Sequence, residues 1–134
     1  MTIIIDASAA IEIALQLEQA DLFQEYINKA DLVIAPNFYP VEITNVFWKY
    51  SKFGKLEKEK CIYGIDYCID LIDDFVETKY MCREAFAESF NLQHPAYDMF
   101  YLILARRENG VLLTRDKKMT KIAEEMKIIL PRNG

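Results

Sequence analysis

Thr2-Ile3-Ile4-Ile5-Asp6-Ala7-Ser8 is the stretch from which the rest of the chain is read. The short β-branched run over residues 2–5 has the signature of a buried strand. Asp6 ends it and is a good N-cap, which predicts a helix to about Leu17. The strand-then-helix pattern recurs downstream. A second helix is expected from about Glu18 to Lys29, and a second buried strand over 32–35 (Leu-Val-Ile-Ala), closed by Pro36. Pro40 then opens a helix to about Phe53, with Gly54 as its stop. Residues 57–73 carry Cys61, Ile65, Cys68, Ile69 and Ile72 at helical spacing. A third strand is expected over 75–79 and a helix over 81–92. Pro95 opens a helix to about Glu108 that Asn109-Gly110 ends. A fourth strand over 111–113, a short helix after Asp116 and a last strand over 128–130 complete the pattern. Strands alternating with helices imply parallel βαβ units and an α/β fold with a covered sheet. In such sheets function gathers beyond the carboxyl ends of the strands, where strand order reverses. Asp6 and Asp116 both follow strands at that end.

The 134 residues fit one domain spanning 1–134, and 52% hydrophobic with 28% charged residues argues for a globular chain rather than disorder. A chain of this length buries about 68% of its unfolded surface, so it needs no staples. The formal net charge of -5 gives no overall attraction for nucleic acid, so such binding needs a local basic track. The three cysteines, Cys61, Cys68 and Cys82, form no disulfide framework; Cys61 and Cys68 share a helix face, as core thiols would in a reducing compartment. The single histidine, His94, stands before Pro95 and reads as a helix-start residue; one histidine cannot make a multi-histidine metal site. With no basic leader and no run of about 18 apolar residues, a cytoplasmic protein without a membrane span is expected.

Four acids stand where helices start: Asp6, Glu42 (Tyr39-Pro40-Val41-Glu42-Ile43), Asp98 (Ala96-Tyr97-Asp98-Met99-Phe100) and Asp116 (Leu113-Thr114-Arg115-Asp116). Taken singly, capping and the helix dipole explain each, at about 0.3–1 kcal/mol apiece. Asp98 strains that explanation most, because its helix is apolar nearly all round and should be interior. Glu42 heads a polar stripe, Glu42, Asn45, Lys49 and Lys52, which reads either as a solvated helix face or as a phosphate track leading to an acidic site. Two like charges about 4 Å apart repel by about 4 kcal/mol at an effective dielectric of 20. Four converging carboxylates therefore hold protons or bind a cation. Oxygen donors without cysteine or several histidines point to Mg2+ or Mn2+ rather than zinc. The chemistry that best uses such a site is phosphodiester hydrolysis.

At these residues the chain resembles the PIN-domain family, and within it the VapC-type toxin endoribonucleases. The matching segments are Ile5-Asp6-Ala7-Ser8-Ala9, Ala35-Pro36 followed by Val41-Glu42-Ile43-Thr44-Asn45-Val46, Tyr97-Asp98-Met99-Phe100-Tyr101-Leu102-Ile103-Leu104-Ala105-Arg106, and Leu112-Leu113-Thr114-Arg115-Asp116, in the family's order. The resemblance implies a three-layer α/β/α sandwich with a central parallel sheet in the order 3-2-1-4-5. It implies a Mg2+ or Mn2+ site built from Asp6, Glu42, Asp98 and Asp116, with Ser8 and Thr114 as polar neighbours of the acids. Asn45 is expected beside them. It further implies cleavage of single-stranded or looped RNA, a homodimer, and silencing by a small cognate antitoxin protein. Lys49 and Lys52 would carry the RNA on one side and Arg115, Lys117 or Lys118 on the other. Two departures from the family pattern stand out. His94-Pro95-Ala96 precedes Tyr97-Asp98 where many members place a Ser or Thr cap, and Lys117-Lys118-Met119 follows Asp116 where some carry a further Asp.

Two other classes compete. A PIN-fold module that binds RNA or protein without catalysis has no need of four acids. A phosphatase-like domain with Asp6 as nucleophile calls for a second Asp two residues on, where Ser8 stands. Trp48, Phe53 and Phe47 are candidates for dimer or antitoxin contact, Trp48 lying off the inferred core face of its helix.

Overall fold

In the computed structural model of the protein, which describes residues 1–132, Ile3, Ile4 and Ile5 are all shielded from solvent. Successive strand residues point to opposite faces, so three buried in a row require cover on both sides of the sheet. Residues 133 and 134 of the expected 1–134 unit lie outside the described residues. The strand is β1 (Thr2–Ile5), followed by α1 (Ala7–Ala14), α2 (Ala20–Lys29), β2 (Leu32–Pro36), α3 (Tyr39–Lys52) and α4 (Lys58–Asp70). Then come β3 (Asp74–Val76), a 3-10 turn (Thr78–Tyr80), α5 (Cys82–Leu92), α6 (Ala96–Glu108), β4 (Val111–Leu113) and α7 (Lys117–Glu125).

All pairings are parallel and the order is β3-β2-β1-β4. The expected fifth strand is reduced to one parallel bridge, Val111 to Ile129, beside which the Leu112 amide donates to the Ile129 carbonyl at 2.9 Å. Pro131 has no N–H with which to lengthen it. The first four positions of the expected order 3-2-1-4-5 are therefore observed, and the fifth strand is corrected to this single bridge beside β4. β3 is also shorter than expected, because β2 ends at Pro36 and leaves residues past Val76 nothing to pair with.

The chain steps from β1 through β2 to β3 in one direction, then returns past β1 to β4. Right-handed crossovers place the helices of the two runs on opposite faces. Accordingly α1 packs on α2, α3 and α4, while α6 packs on β1, β2, β4, α5 and α7. The result is the expected three-layer α/β/α sandwich, and strand order reverses between β1 and β4.

Local chemistry sets the element ends. α1 stops at Ala14 rather than near Leu17, because Gln16 takes a left-handed backbone (φ 53°) and the Leu17 amide turns back to the Glu12 carbonyl at 3.0 Å. Gly54 ends α3 at φ +67°, a conformation that costs glycine little. Cys61 and Cys68 are buried on one face of α4, and burial pushes the Cys68 thiol up to about 12, so it stays protonated as a core group. α6 is interior over Met99 and Tyr101–Ala105. Its basic end is tied to α5: Arg106 donates to Glu84 and Glu88 at 2.6 Å each, and Arg107 to Glu84 at 2.9 Å. These partners hold the Glu84 carboxyl below its ordinary range.

Gly110 joins α6 to β4 where the backbone passes against β1. A Cβ there would lie 2.5 Å from Ile4 Cδ1 and 2.8 Å from the Thr2 carbonyl oxygen. The backbone oxygen cannot turn aside as a side chain can. Gly110→Ala is therefore expected to destabilise the protein by about 1–3 kcal/mol through overpacking, measured by urea unfolding; an unchanged midpoint would refute the close approach.

Candidate active site

Ile5 and Leu113 are partners in register, so β1 and β4 end side by side. The next residues, Asp6 and Thr114, meet there, and the Asp6 amide donates to the Leu113 carbonyl at 3.1 Å. Asp6 is 5% exposed. Its Oδ1 accepts from Ser8 Oγ at 2.7 Å and from the Ala9 amide at 2.9 Å, and its Oδ2 accepts from Thr114 Oγ1. The hydroxyls are themselves anchored. Ser8 Oγ accepts from the Arg115 amide at 2.8 Å, and Thr114 Oγ1 from the Asp116 amide at 3.1 Å. Asp116 caps α7 by accepting from the Lys118 and Met119 amides at 2.8 and 3.1 Å.

Asp98 enters from α6 on the opposite face of the sheet from α1, and Glu42 from the start of α3. Glu42 Oε1 accepts from Tyr101 Oη at 2.5 Å, and Asp98 Oδ2 lies 2.9 Å from His94 Nε2. All four acids line one cleft of about 410 Å³, together with Ser8, Glu12, Tyr50, Tyr101 and Arg115. They therefore converge. A larger cleft, about 720 Å³, lies between α1, α2 and α4, but its lining holds one acid, Asp21, and one base, Lys60. The four acids lie in the smaller one.

The acids feel both burial and one another. Burial raises the Asp6 carboxyl to about 6 against its hydrogen bonds from Thr114, Ser8 and the Ala9 amide, and the charge of Asp98 adds to the rise. Burial raises Glu42 to about 7 against the Tyr101 hydrogen bond, with the charges of Asp6 and Asp98 adding. Burial and the neighbouring Glu42 charge push the Tyr101 hydroxyl far above its ordinary value, so it remains a donor. Among the described residues, no three Asp, Glu, His or Cys side chains are gathered tightly enough to enclose an ion. The acids instead stand around the cleft, each held by its own donor, as mutual repulsion dictates. The donor set is carboxylate oxygen with hydroxyls behind it, which fits a hard divalent cation. A cation held between the acids would offset the part of the rise in Asp6 and Glu42 that comes from their neighbours' charges; the larger part comes from burial.

The expected polar stripe of α3 meets this cleft only at Glu42. Inside it, α3 presents Glu42, Val46 and Tyr50, four residues apart. Asn45 is a correction: it is exposed and lines a separate shallow groove with Pro40, Val41, Thr44 and Trp48. Its offset of three from Glu42 carries it round the helix. Lys49 is exposed off the cleft, and Lys52 rests its ammonium 4.9 Å from the Trp48 ring centroid. Lys117 and Lys118 are exposed on the first turn of α7, also outside the lining. Arg115 does line it, with Nε 3.3 Å from Glu12 Oε2 and a looser approach of 4.0 Å to Glu18.

Three site residues were not singled out from sequence. Glu12 is buried and accepts from the Gln19 amide at 2.8 Å as well as facing Arg115; it lies four residues after Ser8, on the same face of α1. Tyr101 lies three after Asp98 on α6. His94 precedes the helix, as a helix-start residue does, but its ring turns to Asp98.

The PIN domain family model matches residues 3–125, and the chain belongs to the PIN-domain family. It is similar to Ribonuclease VapC3 of Pyrobaculum aerophilum, with 22% identity over 123 residues that cover 90% of this chain and 94% of that protein. Among solved structures, it resembles the crystal structure of PAE2754 from Pyrobaculum aerophilum, with a TM-score of 0.71, 19% identity, and coverage of 90% of this chain and 86% of that one. At that identity the structural likeness speaks for the fold.

The raised Asp6 value has a consequence for stability. Its folded value lies above the unfolded one, so the stabilising contribution is full below about pH 4 and lost as pH rises through about 6. The change corresponds to about 3 kcal/mol. In chelator, the wild type is expected to lose stability between pH 5 and 8, and Asp6→Asn to lose less, in urea titrations at each pH. Parallel curves for the two proteins would show that Asp6 does not titrate in this range.

Proposed function

We propose that this PIN-domain protein is a Mg2+- or Mn2+-dependent endoribonuclease. It hydrolyses phosphodiesters of single-stranded or looped RNA in the cytoplasm, as the toxin of a pair with a small antitoxin protein. Residues 1–134 act as a single PIN-like domain. The observation that carries the reading is the convergence of Asp6, Glu42, Asp98 and Asp116, from four separate elements, on one cleft. The similarity to a protein named Ribonuclease VapC3, over nearly the full length of both chains, supports the choice of RNA and of a toxin pair.

Asp6, Asp98 and Asp116 are assigned as the principal metal ligands, and Glu42 as a further ligand directly or through water. A divalent cation held there would lower the pKa of an attacking water and stabilise charge developing on the phosphate. Ser8 and Thr114 fix the Asp6 carboxylate, so that it need not reorganise as an ion binds. Tyr101 does the same for Glu42 through one oxygen, Oε1. Arg115 is the cation within the cleft itself and is assigned to an RNA phosphate. Lys49, Lys52, Lys117 and Lys118 lie farther out and would steer the flanking strand.

Asp6→Asn and Asp98→Asn are each expected to abolish Mn2+-dependent cleavage of a single-stranded RNA while leaving the circular dichroism spectrum unchanged. Cleavage at the wild-type rate by both variants would remove the assignment. Retained RNA binding by a wild type that neither cleaves RNA nor takes up Mn2+ would favour the non-catalytic module.

Self-association is assigned to α3 and its C-cap, where Trp48 and Phe53, with Val41, are exposed; Phe47, expected beside them, is instead fully buried because it faces the core. Sedimentation at micromolar concentration is expected to give a dimer for the wild type and a monomer for Trp48→Ala. A monomeric wild type overturns this part of the proposal.

A further inference from the structure

Asp98 sits at the third position of α6, where an acid ordinarily reaches back to the N-cap amide in a capping box. Here the N-cap is Pro95, which has no N–H to offer. The capping role is closed to Asp98 by covalent chemistry. Its carboxylate turns instead to His94, with Oδ2 2.9 Å from Nε2. Because a carboxylate only accepts, Nε2 carries the proton in this contact. The His94 side chain is 10% exposed and that of Asp98 30%, so the bond lies on the protein side of the acid rather than at its solvent edge.

The turn that delivers His94 does not need the imidazole. Gln93 is left-handed at φ 53°, the His94 amide donates to the Ser89 carbonyl at 3.2 Å, and Gln93 Nε2 donates to the Phe90 carbonyl at 2.8 Å. The α5–α6 corner is thus closed by backbone and by Gln93. What the ring adds is one directed N–H on one oxygen of Asp98. Oδ1 accepts no hydrogen bond among the described residues, and Asp98 lines the cleft. The other acids are oriented by hydroxyls or amides: Asp6 by Ser8 and Thr114, Glu42 by Tyr101, Asp116 by the α7 amides. His94 is the corresponding group for Asp98.

We infer that His94 is a positioning residue for the metal site: its Nε2–H fixes Oδ2 of Asp98 and so presents Oδ1 to the cation. The inference rests on the reading of Asp98 as a metal ligand. Groups that orient a ligating side chain in this way typically change metal affinity by about 10–100-fold when removed.

The test is calorimetric titration of the whole chain with Mn2+ alone, at one fixed pH, for wild type, His94→Met and His94→Gln. Methionine keeps the length and bulk without a donor; glutamine restores an N–H at similar reach. His94→Met is expected to bind Mn2+ about 10–100-fold more weakly, and His94→Gln to recover most of the loss. Thermal unfolding in chelator is expected to be alike for all three, which a role confined to the helix corner would not give. RNA cleavage by His94→Met is expected to recover at high Mn2+. Wild-type affinity in His94→Met, or equal weakness in both variants, overturns the inference and leaves the metal site standing. A wild type that binds no Mn2+ overturns the metal reading itself, and the inference with it. Should His94→Met fail to fold, His94→Ala supplies the donor-free comparison with His94→Gln.

Discussion

The carboxylate of Asp6 lies where β1 and β4 end together, and the geometry around it depends on keeping that buried charge satisfied. Strand register brings Ile5 beside Leu113, so the residue after each strand has nowhere to go but against the other. A carboxylate there loses most of its water, which is costly unless donors replace it. Thr114, Ser8 and the Ala9 amide supply them. Because Thr114 and Ser8 in turn accept from the Asp116 and Arg115 amides, the loop after β4 is tied to the loop after β1 through this one group. The placing of Asp116 and Arg115 on the cleft follows from how Asp6 is solvated.

The remaining acids reach the same cleft from both layers of helices. Each stands at or near a helix N-terminus: Asp6 and Asp116 as N-caps, Asp98 and Glu42 in first turns. Four helix dipoles thereby offset part of the charge that gathers there. Among the described residues, no lysine or arginine is ion-paired with any of the four acids. Arg106 and Arg107 are bound to Glu84 and Glu88 at the far end of α6, and Arg115 is held by Glu12. The donors that touch the four acids are hydroxyls, amides and one imidazole. Such groups orient a carboxylate without cancelling its charge, and burial, with the neighbouring carboxylates adding to it, leaves Asp6 and Glu42 raised.

Much of this was legible in the sequence. Ile3-Ile4-Ile5 and Val111-Leu112-Leu113 are too uniformly apolar for half-exposed strands, and they proved buried on both faces. Gly54, Asn109 and Pro40 marked helix ends through backbone constraints that hold in any context. What failed to read depended on where a helix face points. The stripe Glu42, Asn45, Lys49 and Lys52 is continuous on a helical wheel, yet the cleft receives Glu42, Val46 and Tyr50. A wheel gives relative angles within a helix; the angle of α3 to the sheet is set by packing on α1 and α4. Glu12 was hidden for the opposite reason. In an apolar run it reads as an interruption, and only its bonds to Gln19 and Arg115 across a turn explain its burial.

By itself, then, the sequence determined the alternation of buried strands and helices and the helix-start places of the four acids. These follow from covalent structure and local hydrogen bonding. Only the tertiary structure decided that the four acids share one cleft, that Asn45 does not join them, and that His94 faces Asp98. Those facts turn on strand order, helix orientation and the left-handed corner at Gln93, each fixed by packing between segments far apart in the chain. Distances between such segments are not encoded at any single position.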